Sequence, residues 1–248
     1  MPRWTWILGV VGALAVPGGC HGNDTSPTGP DPVGGAPRLG AHALAYFGMN
    51  GSNNSSISTP AIATQPSSST MVVSIGRGLI SAFAPPTDNK GNGPFAQLGA
   101  THAYSLWRDS GTALYALPKA AGGNGHVITA STPPGDEITL AAVEVVSGSR
   151  IQDSQWNEVL AGNPLTSRMV TTTGPAVLVA FWWGDAGVDE DKTANPDNGF
   201  EITDSILRSG ALVQCAVATR TVSTAGTYDV TWTATPRQGA QLWLVAVQ

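Results

Sequence analysis

Thr227-Tyr-Asp-Val-Thr-Trp-Thr-Ala234 alternates without a break, placing Tyr228, Val230, Trp232 and Ala234 on one face of an extended chain and Thr227, Asp229, Thr231 and Thr233 on the other. That is the pattern of a half-buried antiparallel strand, apolar inward and polar outward. Ile138-Thr-Leu-Ala-Ala-Val-Glu-Val-Val146 is almost continuously apolar, so it belongs in the middle of a sheet covered on both faces, with Glu144 as its exception. From Thr70 onward the same grammar recurs: β-branched and apolar runs punctuated by Gly, Pro, Asn and Asp. It predicts strands at 70–75, 79–84, 103–107, 112–117, 126–131, 138–147, 176–183, 200–207, 211–222, 226–234 and 241–247. So many short strands predict an all-β fold, an antiparallel β-sandwich of two packed sheets. Between Ser149 and Leu160 the run Asp153-Ser-Gln-Trp-Asn-Glu158 offers an N-cap and spaced apolar residues, but Gly162-Asn-Pro164 stops it, predicting at most one or two helical turns.

The N-terminus carries an address. Met1-Pro-Arg3, the apolar run from Trp4 to Val16 and the small residues Pro17, Gly18 and Gly19 make a secretory leader over 1–19, too short to span a bilayer as a permanent helix. Cys20 at the first mature position resembles a bacterial lipoprotein signal, which implies acylation of Cys20 and a membrane tether; cleavage by an ordinary signal peptidase is the alternative. Residues 20–37 are too rich in Pro, Gly and polar residues to bury a core and are expected to form a flexible linker. No repeat of fixed period is visible, and residues 38–248 are expected to form one sandwich domain. The protein is thus expected to be exported, either anchored to the bacterial cell envelope or secreted.

The chain has 12 Lys and Arg against 17 Asp and Glu, a formal net charge of −5, and loss of the leader removes Arg3 but no acid. An acidic surface repels phosphate backbones, which argues against nucleic acid as a partner. Cys215, in the alternating run Ala211-Leu-Val-Gln-Cys-Ala-Val-Ala218, reads as a small core hydrophobe rather than a nucleophile.

Asp88-Asn-Lys-Gly-Asn92, Thr112-Ala-Leu-Tyr-Ala116, Ala121-Gly-Gly-Asn-Gly-His126, Ala142-Val-Glu-Val-Val-Ser-Gly148 and Ala225-Gly-Thr-Tyr228 together resemble a jelly-roll-like β-sandwich domain of exported bacterial proteins. The resemblance covers Thr70 to Gln248. That family has no settled activity, so the resemblance implies a fold and no catalytic residues.

The richest polar stretch is Trp182 to Glu201. Asp185, Asp189, Asp191, Asp197 and Glu201 offer the hard oxygen ligands that calcium prefers, without EF-hand spacing; a solvated acidic loop is the alternative. Adjacent Trp182 and Trp183 on a strand point to opposite faces, one inward and one outward, and an outward indole beside acids and amides is a platform for a sugar ring. The alternative is that the following loop covers it. Trp107, followed by Arg108 and Asp109, is the other loop-borne aromatic and the third expected ligand contact. His42, His102 and His126 lack metal-ligand spacing, no Gly-x-Ser-x-Gly elbow places a serine nucleophile, and the glycines before His126 lack the Lys-Ser/Thr of a phosphate loop. No catalytic motif is recognised. The leading expectation is therefore a surface-tethered binding or structural module that contacts glycan or an envelope component. The alternative is a secreted polysaccharide hydrolase or lyase using loop carboxylates such as Asp185 or Glu201.

Overall fold

The computed structural model describes residues 35–48, 54–188 and 190–248; the leader, Cys20, most of the linker and Asp189 lie outside them. Among the described residues the protein is all-β, with antiparallel pairing throughout and one short 3-10 turn at Ile80–Ala82. Two five-stranded sheets dominate, and each comes from one half of the chain. In the first, Arg38–Phe47 pairs with Ile138–Val146, followed by Ser69–Arg77, Gly111–Ala120 and Ala96–Ala103. In the second, Ile151–Ala161 pairs with Gln238–Val247, followed by Ala176–Asp185, Val213–Val222 and Glu201–Ile206.

Each large sheet is faced by a small one. Ser56–Ser58, Ile128–Ser131 and Thr87–Asp88 form the first, and Leu165–Thr166, Thr231–Thr233 and Asn195–Pro196 the second. With eight strands counted along the first half, the large sheet runs first, eighth, third, sixth, fifth and the small one second, seventh, fourth. That is jelly-roll order. The second half repeats it once the accessory pair Val170–Thr172 and Gly226–Tyr228 is set aside.

The two halves match residue by residue in register. The cross-strand pairs Thr70–Val145, Val72–Val143 and Ile75–Leu140 have as counterparts Val177–Val247, Val179–Val245 and Trp182–Leu242. Alternate residues of each central strand face two different cores. Met71, Val73 and Ile75 join Ile57, Phe95 and Tyr115 in the core of the first half, while Leu178, Ala180 and Trp182 join Phe200, Val230 and Trp232 in that of the second. The intervening Val72, Val179, Phe181 and Trp183 meet in a third core between the large sheets. The molecule therefore has four layers where two sheets were expected, and the repeat is one of topology and facing that leaves no fixed period in the sequence.

The interlock between the halves is steric. Gly76 is the counterpart of Trp183, and the two meet: a β-carbon on Gly76 would lie 2.0 Å from the Trp183 indole nitrogen. The indole is 1% exposed and edge-packed on Tyr104 at 5.7 Å. At the flanks His42 Nδ1 meets Asp204 Oδ2 at 2.7 Å, and His102 stacks on Trp156 at 3.7 Å, each contact crossing from one half to the other.

Tyr228, Val230 and Trp232 lie on the inward face, although a break after Tyr228 divides the expected strand 226–234. Ile138–Val146 is buried along its whole length, and the Glu144 carboxylate is held by Ala41 N–H, Gln65 N–H and the Ser69 hydroxyl at 3.0, 2.7 and 2.6 Å. Cys215 is buried in the middle core, where burial and nearby Asp204 push its thiol far up, away from nucleophilic chemistry. Three expectations are corrected. The segment at 79–84 is a 3-10 turn, because Ile80 N–H is taken by Asp109 O outside any ladder. The strand expected at 103–107 lies earlier, at Ala96–Ala103, an edge strand whose outward residues hide the alternation. Residues 151–161 form a strand with no helical turn, because Trp156 pairs across from Trp243 at the sheet edge.

Candidate functional site

At one end of the middle core the two central strands stop side by side, Ser69–Arg77 giving way to Gly78 and Ala176–Asp185 to Ala186. A cleft of about 400 Å³ opens there, lined by Gly78, Trp107, Arg108, Asp109, Ser110, Glu137, Asp185, Ala186, Gly187 and Leu212. Both halves of the chain contribute to it.

The rim is the turn from Tyr104 to Ser110. Tyr104 N–H donates to Ser110 O at 2.8 Å, and Trp107 O receives both the Ser110 N–H and the Ser110 hydroxyl at 2.9 Å. Two braces hold its base. Tyr104 is fully buried and its hydroxyl donates to Gly239 O at 2.6 Å, a role kept protonated because burial, with Glu158 and Asp185 nearby, pushes the phenol up. Glu158 accepts the Ser105 N–H at 2.8 Å and the Ser105 hydroxyl. The turn is thus fixed below while Trp107 stands 58% exposed above, with its neighbour Leu106 also exposed.

The floor is acidic. Arg77, 1% exposed, spends all five of its N–H donors: two on Asp136 at 2.9 and 2.8 Å, two on the Ala82 and Ser131 carbonyls, and one on Thr132. This buried pair fixes the chain at Asp136 and so places the next residue, Glu137, against the cleft. Gly78 leaves the room needed, since a β-carbon there would meet Asp136 at 2.7 Å and Glu137 at 3.0 Å. Burial pushes the Glu137 carboxyl up, opposed by its own backbone N–H and reinforced by Asp185 and Asp136. Burial likewise raises Asp185, with Ser110 pulling down and Asp136 pushing up. Two carboxyl groups that burial pushes toward neutrality, each feeling the other side's charge, share one cleft with an exposed indole. Such a floor accepts hydrogen bonds, attracts cations and can exchange protons.

Of the residues expected from sequence, Trp107 and Asp185 are brought together here. Trp182 and Trp183 do point to opposite faces, but both are buried, at 0% and 1% exposure, because this sheet is covered on both sides; the outward indole expected of the pair is absent. Asp191 accepts Ser209 N–H at 2.8 Å and Asp197 accepts Thr231 N–H at 2.7 Å, while Glu201 is exposed at the start of the outermost strand of its sheet. Asp189 lies outside the described residues. Among the described residues no three His, Cys, Asp or Glu side chains are grouped to hold a metal ion. Glu137 was missed, although the acidic pair Asp136-Glu137 directly before an apolar strand signals that one carboxylate points inward as the other points away.

A second polar cluster joins two of the motifs singled out in the sequence. Asp88 Oδ2 meets His126 Nε2 at 3.2 Å and His126 Nδ1 meets the Thr64 hydroxyl at 2.9 Å, the carboxylate–imidazole–hydroxyl order of a nucleophilic relay. Both the His126 and Asp88 side chains are 0% exposed, so no substrate reaches them. Asn92 bonds Ala121 N–H and O, and Asn89 bonds Val127 N–H and Gly125 O. The cluster ties two loops together. Comparison with protein-family models, with curated proteins and with solved structures found no match to this chain.

Proposed function

We propose that this chain is an exported binding module, tethered through an acylated Cys20 and the following linker, whose Trp107 cleft takes a sugar of an envelope or matrix glycan. The observation that carries the reading is Trp107, an exposed indole on a braced turn above a concave floor of carboxylates. Sugar rings stack their C–H faces on an indole while their hydroxyls need acceptors close by, and a fixed turn spares the cost of ordering the aromatic on binding.

Trp107→Ala tests this by calorimetry and affinity electrophoresis against a panel of neutral, acidic and amino-sugar oligomers. Affinity should fall about tenfold or more while the melting temperature stays put, because the side chain contributes contact to the ligand and little to the core. Retention of the panel equally by parent and variant, or by neither, would overturn the reading. The paired carboxylates Glu137 and Asp185 favour a second reading, hydrolysis of a bound glycan with one group as acid and the other as base. New reducing ends released by the parent and absent with Glu137→Gln would support it.

A further inference from the structure

We infer that the sugar selected by the Trp107 cleft carries a free, protonated amine, as a deacetylated amino sugar does. The inference rests on the reading of the cleft as a glycan site and names the class of glycan.

Charge is the first argument. Asp109, Glu137 and Asp185 line the cleft against a single cation, Arg108. Arg77 lies one residue from Gly78 but cannot neutralise the floor, because its five donors are committed to Asp136, Ala82, Ser131 and Thr132.

Unmet acceptor capacity is the second. Asp185 is 9% exposed, yet among the described residues no backbone N–H and no cation reaches its carboxylate. Its one hydrogen-bonding neighbour among them is the Ser110 hydroxyl, which is shared with Trp107 O at 2.9 Å. A largely buried carboxylate that lines the cleft with a single shared hydroxyl beside it keeps acceptor capacity for a ligand. A neutral sugar hydroxyl would supply one donor and no charge. An ammonium group supplies three donors and a positive charge, and so meets both needs.

The third argument is the wall opposite. The face of an indole attracts a cation as well as a C–H surface, so Trp107 over an acidic floor suits an ammonium-bearing ring on both sides. An N-acetylated ring presents an uncharged amide at the same position, which leaves the floor's charge uncompensated.

The probes are tetramers of glucosamine, N-acetylglucosamine and glucose, titrated calorimetrically into the full chain. At mildly acid pH the glucosamine tetramer should bind about tenfold tighter than the other two, and the preference should vanish when the pH is raised until the amine is neutral. Glu137→Gln and Asp185→Asn, each checked for unchanged circular dichroism, should each reduce the preference. Glu201→Gln, which removes the same charge from the far end of the second sheet, should leave it intact and so separates the cleft from general attraction of a polycation to an acidic protein. Equal binding of all three tetramers, or a preference that survives both cleft substitutions, overturns the amine inference while leaving the glycan reading in place. Failure of the parent to bind any tetramer overturns both.

Discussion

Replacing Gly76 by Ala tests whether the two halves are locked together by one large residue resting on its small counterpart. The added β-carbon would lie 2.0, 2.2 and 2.6 Å from three atoms of the Trp183 indole, all well inside contact distance. The ring cannot swing away, since it is 1% exposed and packed against Tyr104. Forcing extra volume into such a core costs about 1–3 kcal/mol, partly offset by about 0.4–1 kcal/mol from the lower chain entropy of alanine in the unfolded state. Trp183→Ala alone should cost about 3–5 kcal/mol by removing a large buried side chain. In the double variant the collision no longer exists, so its stability should equal or slightly exceed that of Trp183→Ala. Urea unfolding followed by far-ultraviolet circular dichroism gives the cycle. Additivity of the two single losses to within about 0.5 kcal/mol would refute the interlock, as would a Gly76→Ala protein as stable as the parent.

Asp185→Asn should stabilise the fold at neutral pH: the native carboxyl titrates above its ordinary value of 3.8, so stability is lost as pH rises through the raised native value and is intact below the unfolded one. A melting temperature higher than the parent's at pH 7 and equal to it near pH 3 is expected, and no difference at either pH would show that the charge is already compensated. For the anchor, Cys20→Ser should move the protein from the membrane fraction to the soluble one, because two acyl chains hold a soluble domain firmly at about 0.8 kcal/mol per buried CH₂; a parent that never incorporates labelled fatty acid would defeat that proposal.

The buried strands were legible in the sequence because burial on both faces writes itself as apolar runs. Ala176–Asp185 and Val213–Val222 were expected within two residues of their observed bounds. Edge strands were legible only in part: Glu201–Ile206 was expected at 200–207, whereas Ala96–Ala103 and Ile151–Ala161, which keep one side in water and carry polar residues there, were not. The duplication was hidden for a related reason. What the halves share is register and facing, and counterparts as unlike as Gly76 and Trp183, or Glu144 and Ala246, satisfy the same geometry. In the cleft, Trp107 could be read as a loop-borne aromatic, whereas Glu137 depends on a buried pair whose partners, Arg77 and Asp136, lie far apart in sequence.

The position of the cleft follows from the same departure from symmetry. The central strands of the two large sheets end together, so their counterpart positions Gly78 and Asp185 face one opening. Two identical halves would place two like residues there, either two glycines and a featureless gap or two carboxylates repelling each other across a buried space. Here one half keeps the small residue, which admits Glu137, and the other supplies the buried carboxylate. The rim departs from symmetry too, because Tyr104 reaches across to Gly239 of the second half and fixes the turn that carries Trp107. An interface between like sheets thereby becomes a single asymmetric cleft, and its residues combine only when both halves are folded against each other. Loss of the interlock at Gly76 and Trp183 should therefore weaken ligand binding before it unfolds either half.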